Sequence, residues 1–344
     1  MGTLLREFTF GHARQLESVL REHLVALCGR VDLLPPNAAE QRVFIDIDSL
    51  LRPVYGHAKQ GASYGHTKIA GKQILRKGLS PARHHDQHRV LGSGDRRDAA
   101  PRRKGQLGKG AARMVAQAIS TARAAGASGK ILVRGDSAYG NRKVVAACVR
   151  AGAQFSLVMT RNPAIDRALA AIDDDAWTPV SYPPGAVQDP DTGAWISDAE
   201  VAEIPLHRIR IHPPMRSPPA WSCAASKTPA TPDALFPVWR YHPFLTNTDL
   251  PVTEADVTHR QHAIIETVFA DLIDGALAHI PSGRFGANSA WVLCAAIAHN
   301  LLRAAGVLAG ERHGRARGID AAPPHRQRAS PTGPSTAPTS PAPT

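Results

Sequence analysis

The chain has 344 residues, 43% of them hydrophobic, enough for one large or two ordinary globular domains with a buried core. Its net charge of +12 and isoelectric point near 10.0 favour a polyanionic partner, but the segments 82–106 and 311–344 supply +4 and +3 of that excess, so the remaining body is only modestly basic. No run approaches the roughly 18 apolar residues that span a bilayer, the start is too charged for a secretory leader, and Arg6 stands where a myristoylation signal needs Ser or Thr, so a cytoplasmic protein with no membrane partner is expected. Cys28, Cys148, Cys223 and Cys294 form no C-x-x-C pair and read as free core thiols, which argues against a zinc site built on them.

Taken in chain order, the spacing of Leu16, Val19, Leu20, His23, Leu24 and Leu27 predicts an amphipathic helix from Gly11 to Arg30. After the breaker LLPPNAAE, the segment RVFIDIDSLL alternates Val43, Ile45 and Ile47 with Phe44, Asp46 and Asp48, a strand whose end carries carboxylates. Closely spaced glycines at 56, 61, 65 and 71 fit two short hairpin strands. A helix is expected over 107–126, with Met114, Val115, Ala118, Ile119 and Ala122 on one side and Gly126 as its stop. KILVRGDSAYG then gives a buried strand ending on Asp136, followed by a helix from about Asn141 to Gly152 and a strand from Gln154 to Thr160. Residues 161–252 read as a proline-rich, largely β insertion. A helix is expected from Glu254 to about Leu277, with Glu266 among Ile264, Ile265, Val268, Phe269 and Leu272, and another, strongly apolar, from Asn288 to Leu308. The last 34 residues hold seven prolines and no Leu, Val, Phe or Tyr, and are expected to be a disordered tail.

An Asp ending one strand, a second Asp ending a strand one helix later, and a Glu on a late helix is the carboxylate order of a ribonuclease-H-like mixed sheet flanked by helices. Three such oxygen donors suit a pair of Mg²⁺ ions, which activate an attacking oxygen and stabilise a leaving one in phosphodiester chemistry. The blocks IDIDSLLRPVYGHAKQGASYGHTKIAGKQIL, ILVRGDSAYG, HRQHAIIETVFADLIDGALAHIPSGRF and ANSAWVLCAAIAHNLLRAAG resemble DDE transposases of bacterial insertion sequences, in the branch with a β-rich insertion before the last catalytic residue. The resemblance runs with gaps from about residue 4 to 310.

That resemblance implies Asp48, Asp136 and Glu266 as catalytic, metal-binding residues, two Mg²⁺ ions for which Mn²⁺ substitutes, and cleavage and strand transfer of an insertion sequence's DNA. It further implies DNA partners in the form of terminal inverted repeats and target DNA, a homodimer on paired ends, and a nucleoid-associated place in the cytoplasm. His259, Arg260 and His262 fall where relatives contact DNA. Each position has a plainer reading: Asp46 shares a strand face with Asp48, Asp136 is a fitting helix cap, and Glu266 suits a solvated helix face. Trp239 and Trp291 suit base stacking less well than packing. Two positions depart from the family, with Leu50 where a Thr is frequent and Ile273 where a Lys is expected.

Residues 79–108, where relatives carry a third sheet strand, instead have the Arg, His, Gly, Pro and Asp composition of a GC-rich gene read in a shifted frame, and 212–232 and the tail look similar. The triplet His84, His85 and His88 has no recognised metal spacing. Relatives also carry a longer N-terminal helical region, so the chain is expected to be truncated there. The expected organisation is a helical segment over 1–40, the first part of the catalytic core over 41–160, a β-rich insertion over 161–252, the C-terminal core helices over 253–310 and a tail over 311–344. The alternatives to an active transposase are a catalytically inactive remnant that at most binds DNA, and a nuclease that cuts without joining.

Overall fold

A computed structural model describes residues 2–34, 41–48, 50–54, 59–60, 62–69, 72–79, 110–180, 187–188, 195–196, 199–205, 222–229, 239–261 and 265–310. The stretch expected to be out of frame, most of 212–232 and the expected tail lie outside the described residues.

Helices α1 (Gly2–Arg6) and α2 (Phe10–Cys28) open the chain. Thr9 starts α2 with a capping box, its hydroxyl accepting the His12 N–H while the His12 ring accepts the Thr9 N–H. Leu16, Leu20, Leu24 and Leu27 are half-buried as the spacing predicts, but Val19 points to solvent and Ala13 is the residue wholly inside. Small residues set the contact: α2 lies against the long helix α8 (Phe285–Leu308), whose Ala287 and Ala290 join Leu5 in one cluster. At Gly286 any Cβ would collide with the Phe8 carbonyl, so glycine permits the close approach. By length and apolarity α8 could cross a membrane, a feature the sequence reading did not anticipate, yet it packs here against α1 and α2.

Seven strands form a mixed sheet in the order β1 (Val43–Ile47), β5 (Ile131–Gly135), β6 (Gln154–Val158), β12 (Trp239–Thr246), β11 (Ser222–Pro229), β10 (Glu200–Pro205) and β7 (Thr178–Pro179). The first three run parallel and the rest antiparallel. Helices α3 (Ala111–Ala124) and α4 (Arg142–Arg150) flank this sheet, giving the α/β ribonuclease-H-like architecture that the order of elements predicts. Ile131, Val133, Phe155 and Leu157 of the sheet pack with Val115, Ile119, Val144 and Cys148 of these helices. Each such fully buried aliphatic or aromatic side chain stabilises the fold by roughly 1.5–3 kcal/mol before ordering costs. Gly126 ends the α3 region at φ +108°, as a glycine stop should.

The strands drawn from 161–252 extend this same sheet, with β12 joining β6 through Phe244 opposite Val158 and Thr246 opposite Ser156. A helix there, α5 (Pro163–Ala170), is an addition to the expected β content. Its signal was present in the sequence: Asn162 caps it, Pro163 occupies the first turn, and Ile165 and Leu169 sit one turn apart on the buried side. Two short strands, β8 (Val187–Gln188) and β9 (Trp195–Ile196), pair by themselves. The glycine-spaced segment forms the hairpin β3 (Ser63–Ile69) and β4 (Lys72–Leu79), which with β2 (Arg52–Pro53) makes a separate three-stranded sheet. Where a single helix is expected from Glu254 to Leu277, the described residues form two elements, α6 (Val252–Arg260) and α7 (Ile265–Asp274), and 262–264 between them lie outside the described residues. Among the cysteines, Cys148 and Cys223 are buried, but Cys294 is exposed, a correction to its reading as a core thiol.

Candidate functional site

The parallel pairing of β1 and β5 places Ile47 opposite Gly135, so Asp48 and Asp136 follow one residue beyond the ladder on neighbouring strands. Neighbouring strands lie about 4.8 Å apart. Alternation puts Phe44, Asp46 and Asp48 on one face of β1, and Arg134 and Asp136 on the same face of β5. Both carboxylates thus stand at the carboxyl ends of parallel strands, where open α/β sheets place their ligands. Gly135 makes the approach possible: a Cβ there would sit 2.6 Å from the Ile47 Cγ1 and 3.1 Å from the Ile47 carbonyl oxygen.

Tyr139 lines the same cavity as Asp48 and feels the charges of both carboxylates. Its phenol is 4% exposed, and burial first, then the charges of Asp136 and Asp48, raises its pKa far above the usual tyrosine value. Its hydroxyl therefore stays neutral, within the field of two negative groups. Sequence reasoning passed over Tyr139, although SAYG directly follows the second Asp.

The plain readings of the two aspartates separate cleanly. Asp46 is fully engaged, its Oδ1 accepting from Arg134 Nε at 2.6 Å and its Oδ2 from Arg134 Nη2 at 2.8 Å. Asp136 does not cap the following helix; Asn141 does, accepting from the N–H groups of Lys143 and Val144. Asp136 Oδ1 instead accepts the Ala138 N–H at 2.9 Å in a tight turn, which fixes the carboxylate at the strand end.

Glu266 is exposed in the first turn of α7. The residues of α7 that face inward are Ile265, Phe269 and Leu272, which line a cavity of about 240 Å³ together with Asp46, Asp48 and Tyr139. Glu266 is therefore one residue away from the wall of the cavity that Asp48 borders. Among the described residues no group of three or more His, Cys, Asp or Glu side chains comes together to hold a metal. The two strand-end aspartates fit a hard divalent cation by donor chemistry and by position, whereas Glu266 is not brought to them. The two residues that depart from the resembled pattern also meet here, since Leu50 is buried with Leu277 and Ala295, and Ile273 packs on the same cluster.

The expected DNA-contacting residues fare differently. His259 is a correction: it is 6% exposed, its Nδ1 shares a 2.8 Å hydrogen bond with Ser156 Oγ, and its ring stacks on Phe244 at 4.4 Å. Such a side chain serves the packing of α6 on the sheet, not a DNA surface. Arg260 donates to Asp256 Oδ2 at 2.9 Å and to Ser226 Oγ at 2.7 Å, so its guanidinium also ties α6 to the sheet. His262 lies outside the described residues. Trp291 donates its indole N–H to the Ala276 carbonyl and packs among apolar neighbours, as the packing reading expects.

Residues 30–184 match the protein-family model described as transposase DDE domain group 1, a stretch that contains both strand-end aspartates, Tyr139 and Arg134. No curated protein matches the chain.

Proposed function

Because residues 30–184 match the family model described as transposase DDE domain group 1, we propose that the chain is the transposase of an insertion element, which cleaves DNA strands at the ends of that element and transfers them to target DNA, with Asp48, Asp136 and Glu266 as its carboxylates. The observation that carries this reading is the pairing of Asp48 and Asp136 beyond the β1–β5 ladder, on one face, with the charges of both felt by Tyr139. The family uses divalent metal ions, and Mg²⁺ or Mn²⁺ held there would activate the attacking oxygen and neutralise charge on the phosphodiester. The chain's own part is to hold two carboxylate oxygens at neighbouring strand ends, with Asp136 fixed by the Ala138 N–H and the Tyr139 hydroxyl kept protonated beside them. Glu266 would need α7 to turn by about one residue, roughly 100° about its axis, to take the place of Ile265 at the cavity. The partners in this reading are terminal repeats and target DNA, bound by a homodimer in the nucleoid-associated cytoplasm.

The exposure of Glu266 favours one second reading, a remnant that binds DNA without cutting it. Incubation of the purified chain with Mg²⁺ or Mn²⁺ and DNA carrying the element's ends separates the two. Nicking that Asp136→Ala and Glu266→Gln both abolish is the expected result, and joining of the freed 3′ ends to a second DNA distinguishes a transposase from a nuclease. A folded wild-type chain that retards DNA on a gel yet never nicks it would establish the remnant instead.

A further inference from the structure

Arg134 is 3% exposed, and its guanidinium is shared among the chain segments that lead to all three carboxylates. Nε and Nη2 grip Asp46 in a bidentate pair, two residues before Asp48 on β1. Arg134 itself lies on β5, two residues before Asp136. Its Nη1 donates to the Thr258 carbonyl of α6 at 2.6 Å, eight residues before Glu266. The Phe44 ring covers the guanidinium, 4.2 Å from ring centroid to Cζ. The register makes this a cross-strand row: Asp46 is opposite Arg134, Arg134 is opposite Ser156, and Ser156 holds His259 of the same helix.

We propose that Arg134 is a positioning residue for the metal-binding carboxylates, a clamp that sets the ends of β1 and β5 in register and docks α6 above them. The proposal rests on the reading of Asp48 and Asp136 as metal ligands. A structural ion pair would need only Asp46. The third bond, to a helix carbonyl, has no bearing on the β1–β5 pairing and instead fixes the helix that precedes Glu266. The planar fork is what the geometry requires, because Nε, Nη1 and Nη2 point along three fixed directions toward two separate segments. A lysine ammonium keeps the charge but cannot span both.

Removing Arg134 alone would leave the largely buried Asp46 carboxylate without its partner, a loss expected to destabilise the whole fold. Two other variants avoid this: Arg134→Lys, which keeps the charge, and the double variant Asp46→Leu with Arg134→Met, which replaces the pair by apolar side chains of similar size. The full chain, Asp48→Asn and these two variants are compared by Mn²⁺ binding, read by electron paramagnetic resonance, and by thermal melting. The expected result is that wild type binds Mn²⁺ and Asp48→Asn does not. Both clamp variants should melt near wild type but bind Mn²⁺ roughly 10- to 100-fold more weakly, the usual effect of losing a group that orients metal ligands. Raised Mn²⁺ then restores binding in the clamp variants, whose ligands are intact, and not in Asp48→Asn. Wild-type Mn²⁺ affinity in either folded clamp variant overturns the proposal while leaving the metal-site reading in place. Wild-type affinity in Asp48→Asn overturns the metal-site reading, and the clamp falls with it.

Discussion

Asp46 and Asp48 are two positions apart on one strand, chemically alike, and distinguished by what stands opposite each. Asp46 faces Arg134 within the ladder and is consumed by it, whereas Asp48 lies past the last paired residue and faces Asp136 across the strand ends. Gly135 controls how closely those ends approach. In Gly135→Ala the new methyl would meet Ile47 at 2.6 Å, so the end of β1 must shift outward. Overpacking of this kind costs about 1–3 kcal/mol. Chemical denaturation should report that loss, together with weaker Mn²⁺ binding; stability and affinity both equal to wild type would show that the strands separate freely. The two aspartates were legible because carboxylates at the end of an apolar alternation stand out in sequence. Arg134 and Tyr139 were not, because their roles depend on which strand lies beside β5, and VRGDSAYG says nothing of its neighbours. The resemblance puts His259 where relatives contact DNA, yet the side chain is buried, and only the position of Ser156 on another strand reveals its partner.

At the scale of single elements, α4 separates capping from chemistry. Its N-cap is Asn141, five residues after Asp136. Asn141→Ala should therefore lower stability by about 0.5–2 kcal/mol, the usual cost of a lost side-chain cap, without changing Mn²⁺ affinity. Asp136→Ala should do the reverse, abolishing metal binding at little cost to the helix. Equal losses of stability in the two variants, measured by urea denaturation, would return Asp136 to a structural role. Elements with two or more regular apolar turns, such as α3 and α4, were readable from spacing alone. The division between α6 and α7 was not, because Ile264, Ile265, Val268 and Phe269 continue a helical period across it. Within α7 it is Ile265 that lines the cavity, while Glu266 is exposed. Nicking that depends on Glu266 would thus require α7 to present a different face when DNA and metal are bound.

Across the whole molecule, the sheet has two chemically distinct ends. Asp48 and Asp136 stand at the carboxyl ends of the parallel strands, while Asp249 gathers charge at their amino ends. Lys130, just before β5, and Arg42, just before β1, form ion pairs with Asp249, and Gln154 at the start of β6 donates to it as well. This arrangement was hidden in sequence because β12, which delivers Asp249, pairs with a strand more than 80 residues earlier, and no local pattern encodes so distant a partner. The hydrogen bonds from Lys130 and Gln154 hold the Asp249 carboxyl well below the ordinary carboxylate range. A carboxyl depressed on folding binds fewer protons folded than unfolded. Its contribution is therefore complete above the unfolded value of about 3.9 and is lost as pH falls through the depressed folded value. The side chain remains more than half exposed, so solvent screening limits the contribution to about 1 kcal/mol or less. Asp249→Asn should accordingly lower stability by that small amount at pH 7 and flatten the acid limb of the stability curve below about pH 4. Melting curves recorded between pH 2 and 7 test this, and an unchanged acid limb in Asp249→Asn would assign the acid sensitivity to other carboxylates. Because the cluster lies at the opposite end of the strands from Asp48 and Asp136, Mn²⁺ affinity at neutral pH should be the same in Asp249→Asn as in wild type, which makes this variant the control for every substitution at the other end of the sheet.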